Sequence, residues 1–360
     1  MNAGGAPSEA RASLSLPERR PTAGTIVRGG VIAVLLAFVL AGLPPLLSVY
    51  WLDVLTAVAI YSVVALGLNL LVGRVGLVSL GQIAILALGA WVAARLDFAT
   101  SLPFPIVLLA TGVITAVLGV IVGLPALRVS GLYLALITLM LAGAITIVLN
   151  STNFPNGGGG FLGHTESSFG SGGIRRPSIA VSDQAYYRYA VVLAALMFVL
   201  ALLHVRSKPG RAWAAIRQSE PAALAAGVNV TLYKLWAFAL AAFITGIAGG
   251  ILGGSSGKLF VTQFTTQGSI ILLAVVLMGG VFSLWGALAA GVLLQLLPAL
   301  LNDWGAPPDL LTVIFGVGVL QVLVTAPEGL VVQVPRDLAT LGRFLLRLGR
   351  RAASLLGGAQ

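Results

Sequence analysis

The sequence predicts an all-α polytopic integral membrane protein with about ten transmembrane helices. Three observations lead there. Apolar runs of roughly 20 residues, long enough to cross a hydrocarbon core of about 30 Å, recur between residues 29 and 326. Charged residues make up only 9% of the chain and hydrophobic ones 58%, whereas soluble domains carry about 25% charge. Finally, the basic residues fall mostly on one side of the alternating spans, as the positive-inside rule requires.

Residues 1–28 are polar, rich in Pro, Ser and Ala, and hold Arg11, Arg19, Arg20 and Arg28. They read as a disordered cytoplasmic tail. The apolar run that follows is too long for a signal-peptide core and lacks a small-x-small cleavage site, so it counts as a span. Spans are expected near 29–49, 52–72, 77–96, 105–125, 131–149, 189–205, 235–254, 268–282, 285–301 and 309–326. With the N-terminus inside, sixteen of the 21 Lys and Arg residues face the cytoplasm. Only Arg95, Arg175, Arg176, Arg188 and Lys258 fall outside. Both termini are then cytoplasmic. The formal charge of +10 reads as this topology signal, not as a nucleic-acid surface. Residues 327–360 form a basic cytoplasmic tail, in which 343–348 patterns as a short amphipathic surface helix or as a frayed end.

Two connections stand out. The outer segment 150–188 contains four consecutive glycines, 157–160, which no helix holds cheaply. A loop is expected there, with a short surface helix near 182–189. The inner segment 206–234 carries Arg206, Lys208, Arg211, Arg217 and Lys234 against one acid, Glu220. Pro209-Gly210 opens a helical run that puts Trp213 and Ile216 on one side with Arg217 beside them. Pro221 suits the first turn of a second short helix, and Gly227 suits its end. Two short helices at an elbow are expected on the cytoplasmic surface, with the Trp213–Ile216 face turned toward a partner groove. A loop that only sets topology is the alternative.

Two stretches resemble each other: Gly76-Leu-Val-Ser-Leu-Gly81 and Gly280-Val-Phe-Ser-Leu-Trp-Gly286. Both sit at inside turns between an outgoing and a returning span, which gives a parallel internal repeat or a chance Gly/Ser likeness.

The chemistry that the chain could carry is limited. No cysteine is present, which excludes disulfides and thiolate nucleophiles. Of the two histidines, His164 and His204, neither is assigned a role. No acidic residue lies well inside a span, where ion-coupled carriers hold their coupling ion. No nucleophile–base pair and no phosphate-binding Gly-x-x-x-x-Gly-Lys-Ser/Thr loop is found. What remains at depth is a mild polar set: Asn69, Ser79, Gln82, Thr138, Thr245, Ser283 and Gln295. Glycines 67, 73, 76, 81 and 89 break up the region around the first three. Such breaks line a cavity or pack helices closely, and both readings stand at this point.

These residues resemble a family. Ala65-Leu-Gly-Leu-Asn-Leu-Leu-Val-Gly73, Gly76-Leu-Val-Ser-Leu-Gly-Gln82 and Gly89-Ala90 are similar to the signature region of permease subunits of ABC importers for branched-chain amino acids. Leu127-Arg-Val-Ser-Gly-Leu-Tyr-Leu-Ala-Leu136 resembles the next block. Gly210-Arg-Ala-Trp-Ala-Ala-Ile-Arg-Gln-Ser-Glu220, Ala225-Ala-Gly-Val-Asn229 and Tyr233-Lys234 resemble the family's long cytoplasmic loop. Gly279-Gly-Val-Phe-Ser-Leu-Trp-Gly286 and Pro327-Glu-Gly-Leu330 complete a likeness that covers about 50–332 in order.

The resemblance implies a permease domain over 29–326 in a bacterial inner membrane. Its partners would be a second homologous permease subunit, two cytoplasmic ABC ATPase subunits, an extracytoplasmic solute-binding protein and the lipid bilayer. No nucleic acid and no cofactor would be involved, and ATP hydrolysis would belong to the partner subunits. Arg211, Arg217, Glu220 and Gly227 would form the ATPase-coupling element, to which the helical pattern adds Trp213 and Ile216. Where polar side chains and glycine breaks coincide, Asn69, Gly76, Ser79, Gly81, Gln82 and Ser283 are the residues expected to line the translocation path. The run Asn156-Gly-Gly-Gly-Gly160 and the non-aromatic Ile85 depart from the family pattern. Related permeases carry urea, short amides or sugars, so the resemblance leaves the solute open. An ion-gradient-driven carrier and a passive channel are the rivals of a different class.

Overall fold

A computed structural model describes residues 34–129, 131–151, 174–257 and 261–305, together with isolated positions in 30–31, 259 and 307–333. The chain divides into two units, Met1–Leu46 and Leu47–Gln360. In the first, residues 34–42 form helix α1, which ends in a π turn over Phe38–Gly42 where Leu43 N–H donates to the Phe38 carbonyl at 3.2 Å.

The second unit is helical throughout its described elements. Helix α2 (Val49–Asn69) runs on through a π turn (Leu70–Val75). It is followed by α3 (Gln82–Ala99), α4 (Phe104–Gly123), α5 (Leu132–Ser151) and α6 (Asp183–Arg206). Two short helices come next, α7 (Lys208–Gln218) and α8 (Glu220–Ala225). The rest is α9 (Val230–Ser256), α10 (Thr266–Gly279) and α11 (Leu284–Asp303), the last containing a π turn over Val292–Leu296.

Among the described residues, seven helices are long and apolar enough to cross a membrane: α2 with its π turn, α3, α4, α5, α6, α9 and α11. Helix α10 is apolar but has only 14 residues, about 21 Å at 1.5 Å per residue and short of a bilayer core. Gly280, at φ 111°, stops it. The expected spans 29–49 and 309–326 lie wholly or partly outside the described residues, as do most of the outer loop and the basic tail. The surface helix expected near 182–189 is instead the first turns of α6. Ser182 caps that helix by accepting from Ala185 N–H at 3.3 Å, and Asp183 sits in the first turn, so one continuous span begins there.

Helices α2 and α9 are mostly buried within the chain, whereas most residues of α5, α6 and α11 are half-buried or exposed. Leu109, Val113, Val117 and Ile121 make an exposed stripe along α4, and Leu196, Val199 and Leu203 another on α6. In a polytopic protein, lipid covers such surfaces. Small residues set the interior. Gly89 of α3 meets Gly246 of α9, and Gly119 of α4 meets Ala242, leaving no room for a Cβ at either glycine. Without a hydrophobic drive between helices in lipid, close backbone approach of this kind supplies the packing energy. Most of the glycines around α3, α4 and α9 are therefore packing residues.

The helix ends gather in two groups. At one end, residues 174–183 join the C-terminal ends of α3 and α9. Arg175 pairs with Asp97 at 3.5 Å, and Arg176 pairs with Asp183 at 2.6 Å while donating to the Gly254 carbonyl at 3.3 Å. Tyr186 OH donates to the Ile251 carbonyl at 2.5 Å. The other end gathers residues 73–76, the two short helices and residues 280–283.

Candidate functional site

The second end is built on two interruptions. Gly76, at φ 84°, ends the π turn of α2. Leu77 N–H folds back to the Leu71 carbonyl at 3.0 Å, the closure that glycine permits at a helix C-terminus. Residues 76–81 are then non-helical, and α3 starts at Gln82. Thr138 of α5 supports the break, its Oγ1 accepting from Leu80 N–H at 2.9 Å. Ser79 Oγ accepts from Gly81 N–H at 3.4 Å. The second interruption spans 280–283, between α10 and α11.

The two breaks touch. Asn69 Nδ2 donates to the Ser283 carbonyl at 3.0 Å and to the Gly280 carbonyl at 3.3 Å. Gly73 lies against the Val281 carbonyl, so that a Cβ there would collide with backbone. Gly286 and Gly329 both pack on Gly280 with equally little space. Gly329 thus brings its part of the Pro327-Glu-Gly-Leu330 motif to the same place, Pro327 and Glu328 lying outside the described residues.

Beside the breaks lies a buried polar group. Gln82 is 1% exposed, and its Oε1 accepts from Thr245 of α9 at 3.0 Å. A Cβ on Gly67 of α2 would meet the Thr245 hydroxyl at 2.6 Å, so Thr245 sits between α2 and Gln82. Gln82 Nε2 and Asn69 Oδ1 are buried without a hydrogen-bond partner. An unmatched buried amide group costs about 1–3 kcal/mol, and fold stability alone gives no reason to keep two. Of the expected path residues, Asn69, Ser79 and Gln82 are fully buried, and Gly76, Gly81 and Ser283 belong to the two breaks. Gly81 is buried with the three polar side chains, whereas Ser283 is half-buried and Gly76 is exposed, so Asn69, Ser79, Gly81 and Gln82 are the part closed to solvent.

The elbow forms where the Pro and Gly punctuation places it. Ser219 caps α8, with Pro221 in its first turn and Gly227, at φ 78°, closing it as Val228 N–H returns to the Ala223 carbonyl at 2.9 Å. The expectation about its faces needs correction. Trp213 is 0% exposed, its Nε1 donating to the Tyr233 carbonyl at 2.8 Å, and Ile216 is 3% exposed. Both point into the chain's own core, because residues 70–75 and α9 already offer an apolar surface to α7. They hold the elbow down and are unavailable to a partner groove. Arg211, Pro221, Ala222, Leu224 and Ala225 face outward instead, Leu224 being 59% exposed. Glu220 pairs with the buried Lys234 at 2.6 Å and fixes the elbow to the first turns of α9.

The expected path set omits Gly73 and Thr245, although both are among the glycines and polar residues noted at depth, and it omits Phe282, which lies within the Gly280–Gly286 stretch. Arg217 is expected as part of the ATPase-coupling element. Arg217 is exposed, but its guanidinium folds back on the chain, donating from Nη1 to the Gly73 carbonyl at 2.7 Å and stacking over the Phe282 ring at 4.3 Å from its centroid.

Comparison with known proteins identifies the family. Residues 50–323 match the family described as branched-chain amino acid transport system / permease component. The chain is 30% identical over 328 residues to the high-affinity branched-chain amino acid transport system permease protein LivM of Salmonella typhimurium, an alignment covering 85% of this chain and 76% of that protein. It is also 30% identical over 325 residues to LivM of Escherichia coli, with the same coverage. No solved structure matches. The chain belongs to the family of branched-chain amino acid transport permease components.

Proposed function

We propose that this chain is a membrane-spanning permease subunit of an ATP-driven importer for branched-chain or other hydrophobic amino acids. It pairs with a second, homologous permease. Two cytoplasmic ATPases drive it, and an extracytoplasmic binding protein delivers the solute. The elbow end faces the cytoplasm, as do both termini, and the end holding Asp97, Arg175 and Arg176 faces out toward the binding protein.

The observation that carries this reading is the elbow. Helices α7 and α8 have 11 and 6 residues, too short to stand alone in water. They are packed onto the end of the molecule where both interruptions lie, and they leave Leu224 and its small neighbours exposed. An apolar prow on a wet surface fits a groove on a partner. ATP binding would close the ATPase pair, move the two elbows and open the paired breaks. The solute then crosses past Asn69 and Gln82, whose unmatched amide atoms become available as the breaks part. Weak, transient contacts suffice, because the binding protein supplies the selectivity.

The test is uptake of labelled leucine into vesicles holding the assembled complex. Uptake is expected to require ATP and to survive collapse of proton and sodium gradients. Uptake that stops with a protonophore at constant ATP would replace this reading with an ion-coupled carrier.

A further inference from the structure

We propose that Arg217 is a positioning residue that ties the elbow to both interruptions at once, and that it is not a contact to the ATPase. The inference rests on the coupling role of the elbow given above.

The argument starts from a vacant carbonyl. In an uninterrupted helix the Gly73 carbonyl would accept from the N–H of residue 77. Leu77 N–H is instead committed to the Leu71 carbonyl. The chain then turns away at Gly76, so the Gly73 carbonyl belongs to the unsatisfied set at a helix C-terminus. Arg217 supplies the missing donor at 2.7 Å, and a cation is the group that the negative end of a helix favours. The Arg217 stem covers Gly76, where a Cβ would come within 3.3 Å of its Cγ.

The same guanidinium lies over Phe282 in the second interruption. That turn is itself held to α2 by Asn69, through the Gly280 and Ser283 carbonyls. One side chain on α7 therefore touches the α2 break by a charge-assisted hydrogen bond and the α10–α11 break by cation–π stacking. Trp213 and Ile216 pack the base of α7 on residues 70–75 and α9, and Arg217 is the α7 side chain whose head reaches both breaks. Arg217 sits where a contiguous two-sided contact can bias both breaks together.

The experiment uses the complex with its ATPases and binding protein, and compares Arg217→Ala, Arg217→Lys, Phe282→Leu and Phe282→Trp with the parent. Three quantities are read: ATPase co-purification, ATP hydrolysis, and solute imported per ATP. Arg217→Ala and Phe282→Leu are expected to keep ATPase association while import per ATP falls about tenfold. The double variant should be no worse than either single, since both remove one link. Phe282→Trp should retain coupling, because indole is the better cation–π face. Arg217→Lys should be impaired, because an ammonium cannot both stack and donate from a planar fork. If Arg217→Ala does not fold, Phe282→Leu carries the test, since it leaves the charge and the hydrogen bond in place. A loss of ATPase association in Arg217→Ala makes Arg217 a partner contact and overturns the proposal, as does import per ATP equal to the parent's. A parent chain that recruits no ATPase would instead overturn the coupling reading itself.

Discussion

The two ends of this molecule are held together by different means. At the end with Asp97 and residues 174–183, the loop is clipped to the helices by charged side chains, Arg175 to Asp97 and Arg176 to Asp183. Those pairs are partly solvated. At the elbow end, backbone meets backbone: Gly73 on Val281, Gly286 and Gly329 on Gly280. Here Asn69 and Arg217 donate to main-chain carbonyls. A clip made of two partly solvated ion pairs can lose one member and still hold. A seam made of glycine backbones accepts no added atom. The contrast assigns precision to the elbow end and tolerance to the other, and it can be broken by substitution at each.

The largest effect is expected at Gly73. Gly73→Val places two methyl groups where the Val281 carbonyl already sits. The neighbour is backbone on a packed turn, with no rotamer to relieve the clash. A cost above about 3 kcal/mol is expected, seen as loss of folded protein by size exclusion after detergent extraction. A well-folded Gly73→Val protein would show that the seam is looser than its geometry.

Next comes Trp213→Ala. Removing this fully buried ring empties a large volume and leaves the Tyr233 carbonyl without its donor. Losses of Trp or Phe from cores run at about 3–5 kcal/mol. The thermal midpoint should drop first, and ATPase association should fall with it. A stable variant that merely fails to bind ATPase would mean that Trp213 faces outward after all.

Much of this was written in local sequence. The Pro209-Gly210, Pro221 and Gly227 punctuation placed the elbow, and the apolar runs placed α2, α4 and α9. What local pattern withholds is the partner of a face. The spacing of Trp213 and Ile216 says that α7 has an apolar side, but the same spacing serves an outer groove and the chain's own core. Arg217 shows the limit sharply, since its acceptor lies 144 residues away and no short-range signal marks a vacant carbonyl. The 182–189 segment was misjudged because Asp183, Gln184 and Arg188, with the tyrosines, lower its hydropathy, although Tyr186 and Tyr187 are fully buried. Glycines 89 and 246 reveal their pairing only when α3 and α9 meet.

Between the two ends in expected effect lies the Glu220–Lys234 pair. Lys234 is buried, and the Glu220 side chain is 43% exposed. Glu220→Ala removes a carboxylate 2.6 Å from a poorly solvated ammonium. Partial exposure screens the pair, so a loss of about 1–2 kcal/mol is expected. Glu220→Ala with Lys234→Met removes the ammonium as well and should recover most of that stability. It should not recover import per ATP if the pair serves to hold the elbow against α9. Recovery of both would reduce the pair to a stability feature.

The smallest effect is expected at Arg175, and it tests the tolerant end. The Arg175 side chain is 68% exposed, and its Nε lies 3.5 Å from Asp97 Oδ2. The Arg175 main-chain N–H also donates to Asp97 Oδ2, at 3.0 Å. Arg175→Ala keeps that backbone bond and loses only the solvated half of the clip, together with the Nη2 bond to the Asp97 carbonyl. Exposed pairs contribute about 0–1 kcal/mol, so the thermal midpoint should stay near the parent's. Asp97→Ala should cost more than Arg175→Ala, because it strips both contacts from a buried position. Asp97 is 7% exposed. If Arg175→Ala leaves stability unchanged yet lowers binding-protein-dependent uptake, the guanidinium is used by the docked partner. The tolerance of that end would then concern folding alone, and the difference between the ends would be one of partner, not of precision.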